Sequence, residues 1–76
     1  MAGTLQSARY RRLVKLLIQA RKEAGLTQRS LAYLLGKPSS FVAKYELRER
    51  RLDVIEFLNI AEALSVDPCL LIREVA

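Results

Sequence analysis

The chain has 76 residues, of which 51% are hydrophobic and 28% charged, with a single cysteine, Cys69, and no histidine. A chain this short has room for one domain and buries only about 60% of the surface its unfolded form exposes. The cysteine and histidine counts exclude a disulfide framework, a zinc finger and histidine-based general acid–base chemistry. The net charge of +5 is unevenly spread: residues 1–51 hold twelve bases against three acids, and residues 52–76 one base against five acids. Such an asymmetry suggests a basic face for a polyanion and a separate acidic or neutral end. The balance of apolar and charged residues is that of a globular chain, and no apolar run has the ~18 residues of a membrane span. A lone cysteine among apolar neighbours suits a reducing compartment. The expectation is one cytoplasmic domain over residues 1–76, with about residues 1–6 as a flexible N-terminal arm.

Strand signals are absent, and apolar residues recur at helical spacing. Leu13, Leu17, Ala20 and Ala24 line one face of a first helix over about residues 7–24, and Gly25 suits its left-handed C-terminal turn. Thr27 then caps a second helix with Leu31, Ala32 and Leu35 inward, and Gly36 ends it. Pro38 suits the first turn of a third helix, which carries Val42 and Tyr45 inward and runs to about Leu47. Asp53-Val54-Ile55-Glu56 reads as a capping box opening a fourth helix with Leu58, Ala61 and Leu64 on its inner side. Asp67-Pro68 opens a short fifth helix containing Leu71 and Val75. The expected fold class is all-α, a compact five-helix bundle.

The second and third helices carry the functional signal. From Gln28, Ala32 falls at +4, Gly36 at +8, Val42 at +14 and Tyr45 at +17. Two short helices crossing at a steep angle need a small side chain at the crossing, here Ala32, and a tight turn, here at Gly36. Val42 and Tyr45 hold the third helix down. Ser39, Ser40, Ala43 and Lys44 then remain outward, short polar and basic side chains of the kind that approach base edges in a major groove. Phe41 is divided between packing and contact with a thymine methyl.

These residues, together with Leu17, Ala20-Arg21, Gly25-Leu26, Leu31 and Leu35, Arg50-Arg51-Leu52-Asp53, Leu64 and Asp67-Pro68, resemble the phage-repressor/Cro-type (XRE family) helix-turn-helix domain over about residues 13–72. The resemblance implies a lambda-repressor-like bundle with the helix-turn-helix at about residues 28–47. It implies a sequence-specific regulator of transcription, a repressor or autoregulator, acting as a homodimer on double-stranded DNA with a palindromic operator. Ser39, Ser40 and Lys44 take the family's base-reading positions, with Ala43 expected on the same face; Gln28, Arg48, Arg50 and Arg51 take its phosphate-binding positions, and Arg29 and Lys37 are expected to add phosphate-seeking charge. Arg21 and Glu46 match a partly buried salt bridge that ties the first helix to the third.

Three positions depart from the family pattern. Arg48 stands where glycine usually ends the third helix, so that helix is expected to run longer or end less tightly. Ser39 stands where glutamine is frequent, which removes a bidentate reader of adenine. Thr27-Gln28-Arg29-Ser30 lacks the usual acidic residue, so no capping box is expected there.

Other residues divide between roles. Arg9, Arg11, Arg12 and Lys15 are a phosphate-contacting arm or the wet face of the first helix. Tyr33 and Leu34 are rim residues or a patch for a protein partner. Cys69, Leu70, Ile72 and Val75 form a candidate dimer surface or close the monomer's core. The competing function is a protein-interaction module, an antitoxin or adaptor, on the same fold. An enzyme, a cofactor, a metal site and a membrane partner are not expected, because no nucleophile–base pair, metal cluster, phosphate loop or unspent amphipathic face is present.

Overall fold

The computed structural model describes residues 7–76, so the expected arm at residues 1–6 lies outside the described residues. It contains five helices: α1 (Ala8–Glu23), α2 (Gln28–Leu35), α3 (Ser39–Glu46), α4 (Val54–Ala63) and α5 (Pro68–Val75). No strand occurs among the described residues. No helix among them is long and apolar enough to cross a membrane.

Helix starts follow from local chemistry. Ser7, Thr27, Asp53 and Asp67 each accept a backbone N–H from the first turn of the helix they open. Such bonds satisfy donors that have no partner within the helix. Contrary to expectation, α2 does have a capping box: the Ser30 N–H donates to the Thr27 hydroxyl, and the Thr27 N–H donates to Ser30 Oγ at 2.8 Å. A serine hydroxyl fills the place of the missing carboxylate. Pro38 is the residue before α3 rather than part of its first turn, and it offers no side-chain cap.

Helix ends repeat one device four times. Leu26 N–H bonds Arg21 O, Lys37 N–H bonds Ala32 O, Glu49 N–H bonds Lys44 O and Val66 N–H bonds Ala61 O, each at 2.9–3.1 Å. This six-to-one bond reverses the chain through one residue at positive φ. Gly25 and Gly36 occupy it after α1 and α2, but Arg48 (φ 61°) and Ser65 (φ 57°) occupy it after α3 and α4. The third helix therefore stops on time despite Arg48, which overturns the expectation of a longer or looser end. The six-to-one bond and the burial of Tyr45 fix the turn, and the arginine backbone takes the left-handed conformation.

The core gathers Leu17, Leu31, Ala32, Val42, Tyr45, Ile60 and Leu64, with Leu13, Leu35 and Leu71 packed partly buried against it. Two buried faces are rotated from the expected ones. On α1 the buried stripe is Tyr10, Val14, Leu17, Ala20 and Arg21, and Ala24 is exposed. On α4 it is Phe57, Ile60, Ala61 and Leu64, and Leu58 faces outward. A phenylalanine has more apolar surface to bury than a leucine, which favours the rotation that turns Phe57 inward. Tyr45 is wholly buried, hydroxyl included. Burial pushes its hydroxyl pKa well up, with a further push from Glu46. Helix α5 has no fully buried residue. It is tied to α1 by Arg12, whose Nε donates to the Glu74 carbonyl at 3.0 Å and whose Nη2 pairs with the Glu74 carboxylate at 3.2 Å.

Candidate nucleic-acid interface

Helices α2 and α3 pack against each other across a three-residue turn, residues 36–38, with Ala32 buried at their contact. Val42, Tyr45, Phe41 and Glu46 face the interior from α3. The helical period then sends Ser39, Ser40 and Lys44 outward, all exposed, with Ala43 half-buried between them. Leu47 continues this face past the end of α3 and is also exposed, an apolar addition that the sequence reading treats only as the helix boundary. Phe41 packs: it is buried and meets Tyr45 edge-on at 5.7 Å between ring centroids.

Behind this face lies a buried polar network. Arg21 Nε donates to Glu46 Oε2 at 2.7 Å and Nη2 to Glu46 Oε1 at 3.1 Å, while Nη1 donates to the Leu26 carbonyl at 2.9 Å. The two side chains are only 10% and 5% exposed. Gln28 Nε2 donates to the same Glu46 carboxylate at 2.8 Å. One carboxylate on α3 thereby gathers donors from α1 and from the first residue of α2. A buried charge requires such partners, because each unmatched donor or acceptor there carries a desolvation cost.

Cations flank the outward face. Arg29, Lys37, Arg50 and Arg51 are exposed and Arg48 is half-buried. Lys37 Nζ lies 5.4 Å from the Phe41 ring centroid, and the Arg51 guanidinium 4.8 Å from that of Tyr10. Cations over aromatic faces are held by the ring quadrupole. The Tyr10 hydroxyl donates to the Arg50 carbonyl at 3.1 Å, and burial raises the pKa of that hydroxyl. Arg50 itself pairs with Glu56, a partner that the sequence reading does not assign to it. The basic connection between α3 and α4 is thus anchored to α1 and α4 at its Arg50 and Arg51 end. No group of metal-ligating side chains occurs among the described residues.

A short helix with an outward polar and basic face, seated on a second helix and bordered by arginines and lysines, is the arrangement of a helix-turn-helix. A family model described as helix-turn-helix matches residues 17–71. Among solved structures, an XRE-family like protein from Pseudomonas syringae pv. tomato str. DC3000 is similar, with 49% sequence identity and a TM-score of 0.88. The match covers 95% of this chain and 88% of that one. The chain belongs to the XRE family of helix-turn-helix proteins. No match was found among curated proteins. XRE-family membership makes this a chain of a DNA-binding regulator family rather than of an enzyme family. Its second motif helix is α3, the element that such a fold lays in the major groove.

Proposed function

We propose that the protein is a cytoplasmic, sequence-specific repressor or autoregulator of transcription that acts as a homodimer on a palindromic operator. The observation that carries this reading is the outward face of α3, where Ser39, Ser40 and Lys44 are exposed and Ala43 half-buried, with no acid among them. In this reading Ser39, Ser40, Ala43 and Lys44 meet base edges. Gln28, Arg29, Lys37, Arg48 and Arg51 contact phosphates and set the register. Gln28 has one amide N–H on Glu46, and an amide carries a second. The N–H groups at the start of α3, where no side chain caps the helix, add anion contacts. A serine hydroxyl discriminates bases less than a bidentate pair does. Two half-sites, about one helical turn apart, supply the specificity that a single copy lacks.

For the homodimer, the outer face of α4 joins α5, whose Leu70 and Ile72 are 55% and 48% exposed, as a surface for a second copy. Val54, Ile55 and Leu58 stand 71%, 63% and 41% exposed on α4, a helix that follows directly on the basic connection. Tyr33 and Leu34, 84% and 57% exposed on α2, favour a second reading as a protein-interaction module.

Selection of bound duplexes from a random library at two salt concentrations tests the proposal. An enriched palindrome is expected. On it, Lys44→Ala should change the preferred sequence, and Arg51→Ala, which removes one phosphate contact from each copy of the homodimer, should weaken all duplexes alike and lower the salt slope by about 1.8. Steep salt dependence with no enriched sequence overturns sequence-specific regulation, and retention of no duplex at either salt leaves the interaction module.

A further inference from the structure

Arg50, in the connection between α3 and α4, contacts several other elements of the fold. Its Nη1 donates to Glu56 Oε1 at 2.8 Å and its Nη2 to Glu56 Oε2 at 2.7 Å, a bidentate pair. Nη1 also donates to the Arg51 carbonyl at 3.1 Å. The guanidinium carbon lies 4.9 Å from the centroid of Phe41, the ring that α3 buries beside Tyr45. Through its own carbonyl Arg50 also receives the Tyr10 hydroxyl of α1. Its partner Glu56 accepts the Asp53 N–H at 3.0 Å and so closes the capping box that starts α4. One arginine thereby joins α1, α3, α4 and the connection that carries Arg48 and Arg51.

We propose that Arg50 is a positioning residue, which fixes α3 and the basic connection in the register at which they meet DNA and is not itself a phosphate ligand. The inference rests on the DNA-binding reading of α3 and removes one member from the phosphate-binding set that the resemblance implies. The physical argument lies in what a phosphate would displace. The Glu56 side chain is only 14% exposed. An arginine drawn off to a phosphate would leave that sheltered carboxylate without its cation and take one of two cations off the Phe41 ring. A guanidinium is also the group this place requires. Its planar fork matches both carboxylate oxygens while its face lies against an aromatic ring, whereas a lysine ammonium can sit over a ring, as Lys37 does over Phe41, but has no fork to engage both oxygens at once. A phosphate contact, by contrast, carries no sequence information, so lysine in place of a phosphate-binding arginine would change affinity for all duplexes alike and leave the preference intact.

The test compares the wild type with Arg50→Lys and Glu56→Gln on two duplexes, one selected by the wild type from a random library and one scrambled, across a series of salt concentrations. Both variants are expected to lose about fivefold of the preference for the selected duplex, the low end of one good base contact. Both are expected to keep the wild-type slope of log affinity against log salt. Wild-type preference in Arg50→Lys overturns the proposal. So does tighter binding by Glu56→Gln with a slope steeper by about 1.8, the signature of a freed arginine in each copy reaching one more phosphate. Melting curves establish that each variant is folded at the assay temperature. If Arg50→Lys is not, the direction of the Glu56→Gln change decides. Failure of the DNA-binding reading is seen separately, as a wild type that selects no duplex.

Discussion

Two arginine–glutamate pairs flank α3 with the same bidentate chemistry in different surroundings. Arg21–Glu46 is buried and shares its carboxylate with Gln28, whereas Arg50–Glu56 lies at the surface with its arginine 42% exposed. A buried pair recovers only part of the desolvation of its two charges, so its presence is weak evidence for stability and better evidence for a fixed geometry. A surface pair is screened by water and salt and contributes little net stability. Neither pair is therefore explained by stability alone. Both join α3 to the rest of the fold, Arg21–Glu46 at the C-terminal end of the helix and Arg50 through the ring of Phe41. What the difference teaches is that the same contact fails in different ways when one partner is removed.

The largest effect is expected on the buried side. Arg21→Met leaves the Glu46 carboxylate buried beside an apolar side chain and should destabilise the protein by about 3–5 kcal/mol. That is a large share of the roughly 4–11 kcal/mol that a chain of this length commands. The double variant Arg21→Met with Glu46→Leu should recover most of the loss, because two apolar groups leave no charge stranded. Urea unfolding followed by circular dichroism reads both. A single variant within about 1 kcal/mol of the wild type would show that water reaches Glu46 freely and that the two pairs do not differ.

A smaller effect is expected on the exposed side, and acid reveals it. The hydrogen bonds from Arg50 hold the Glu56 carboxyl at a pKa of about 2, below its ordinary 4.5, against an opposing push from burial and with help from the Asp53 N–H. A carboxyl whose pKa is lower in the folded state contributes stability that is fully present above its unfolded pKa. That contribution is lost as pH falls from about 4.5 toward 2. Thermal unfolding of the wild type and Glu56→Gln across this window should show the two curves converging as the pH drops. Parallel curves would mean that Glu56 titrates alike in both states.

The sequence discloses the helices and the outward face of α3 more readily than it discloses these pairs. Caps and turn residues act over three or four positions, so Thr27, Gly36, Asp53 and Asp67 mark element ends without any tertiary knowledge. Which side of α1 and α4 is buried is less legible. Each has more apolar residues than its inner face can hold, and only packing decides that Phe57 turns inward and Leu58 outward. The family resemblance pairs Arg21 with Glu46, and spacing alone does not. Arg50 and Glu56 lie six residues apart across a loop and a helix start, a separation with no helical rule behind it, so the pair is illegible before the fold is known. The positive φ of Arg48 is equally hidden, since local propensity argues for glycine there.

Arg48 gives the smallest and most discriminating expectation, because it lies between the two pairs and belongs to neither. It and Ser65 hold the same left-handed position after α3 and α4, with 3.0 Å bonds from their N–H groups to Tyr45 O and Glu62 O. An L-residue there is strained by roughly 1–2 kcal/mol, which glycine avoids at an entropic cost of about 0.5–1. Glycine at either place should therefore stabilise by about 0.5–1 kcal/mol, a few degrees in the melting midpoint of a domain this size. The Nε of Arg48 is buried without a hydrogen-bond partner, so no side-chain bond offsets the gain. The two variants should part company on DNA. Arg48→Gly should bind more weakly with a shallower salt slope, in keeping with a phosphate contact, while Ser65→Gly should bind as the wild type does. A destabilised Arg48→Gly would mean that packing of the arginine stem outweighs the backbone strain. A stabilised variant with undiminished binding would remove Arg48 from the interface and leave Arg51 as the arginine of the connection that meets the duplex.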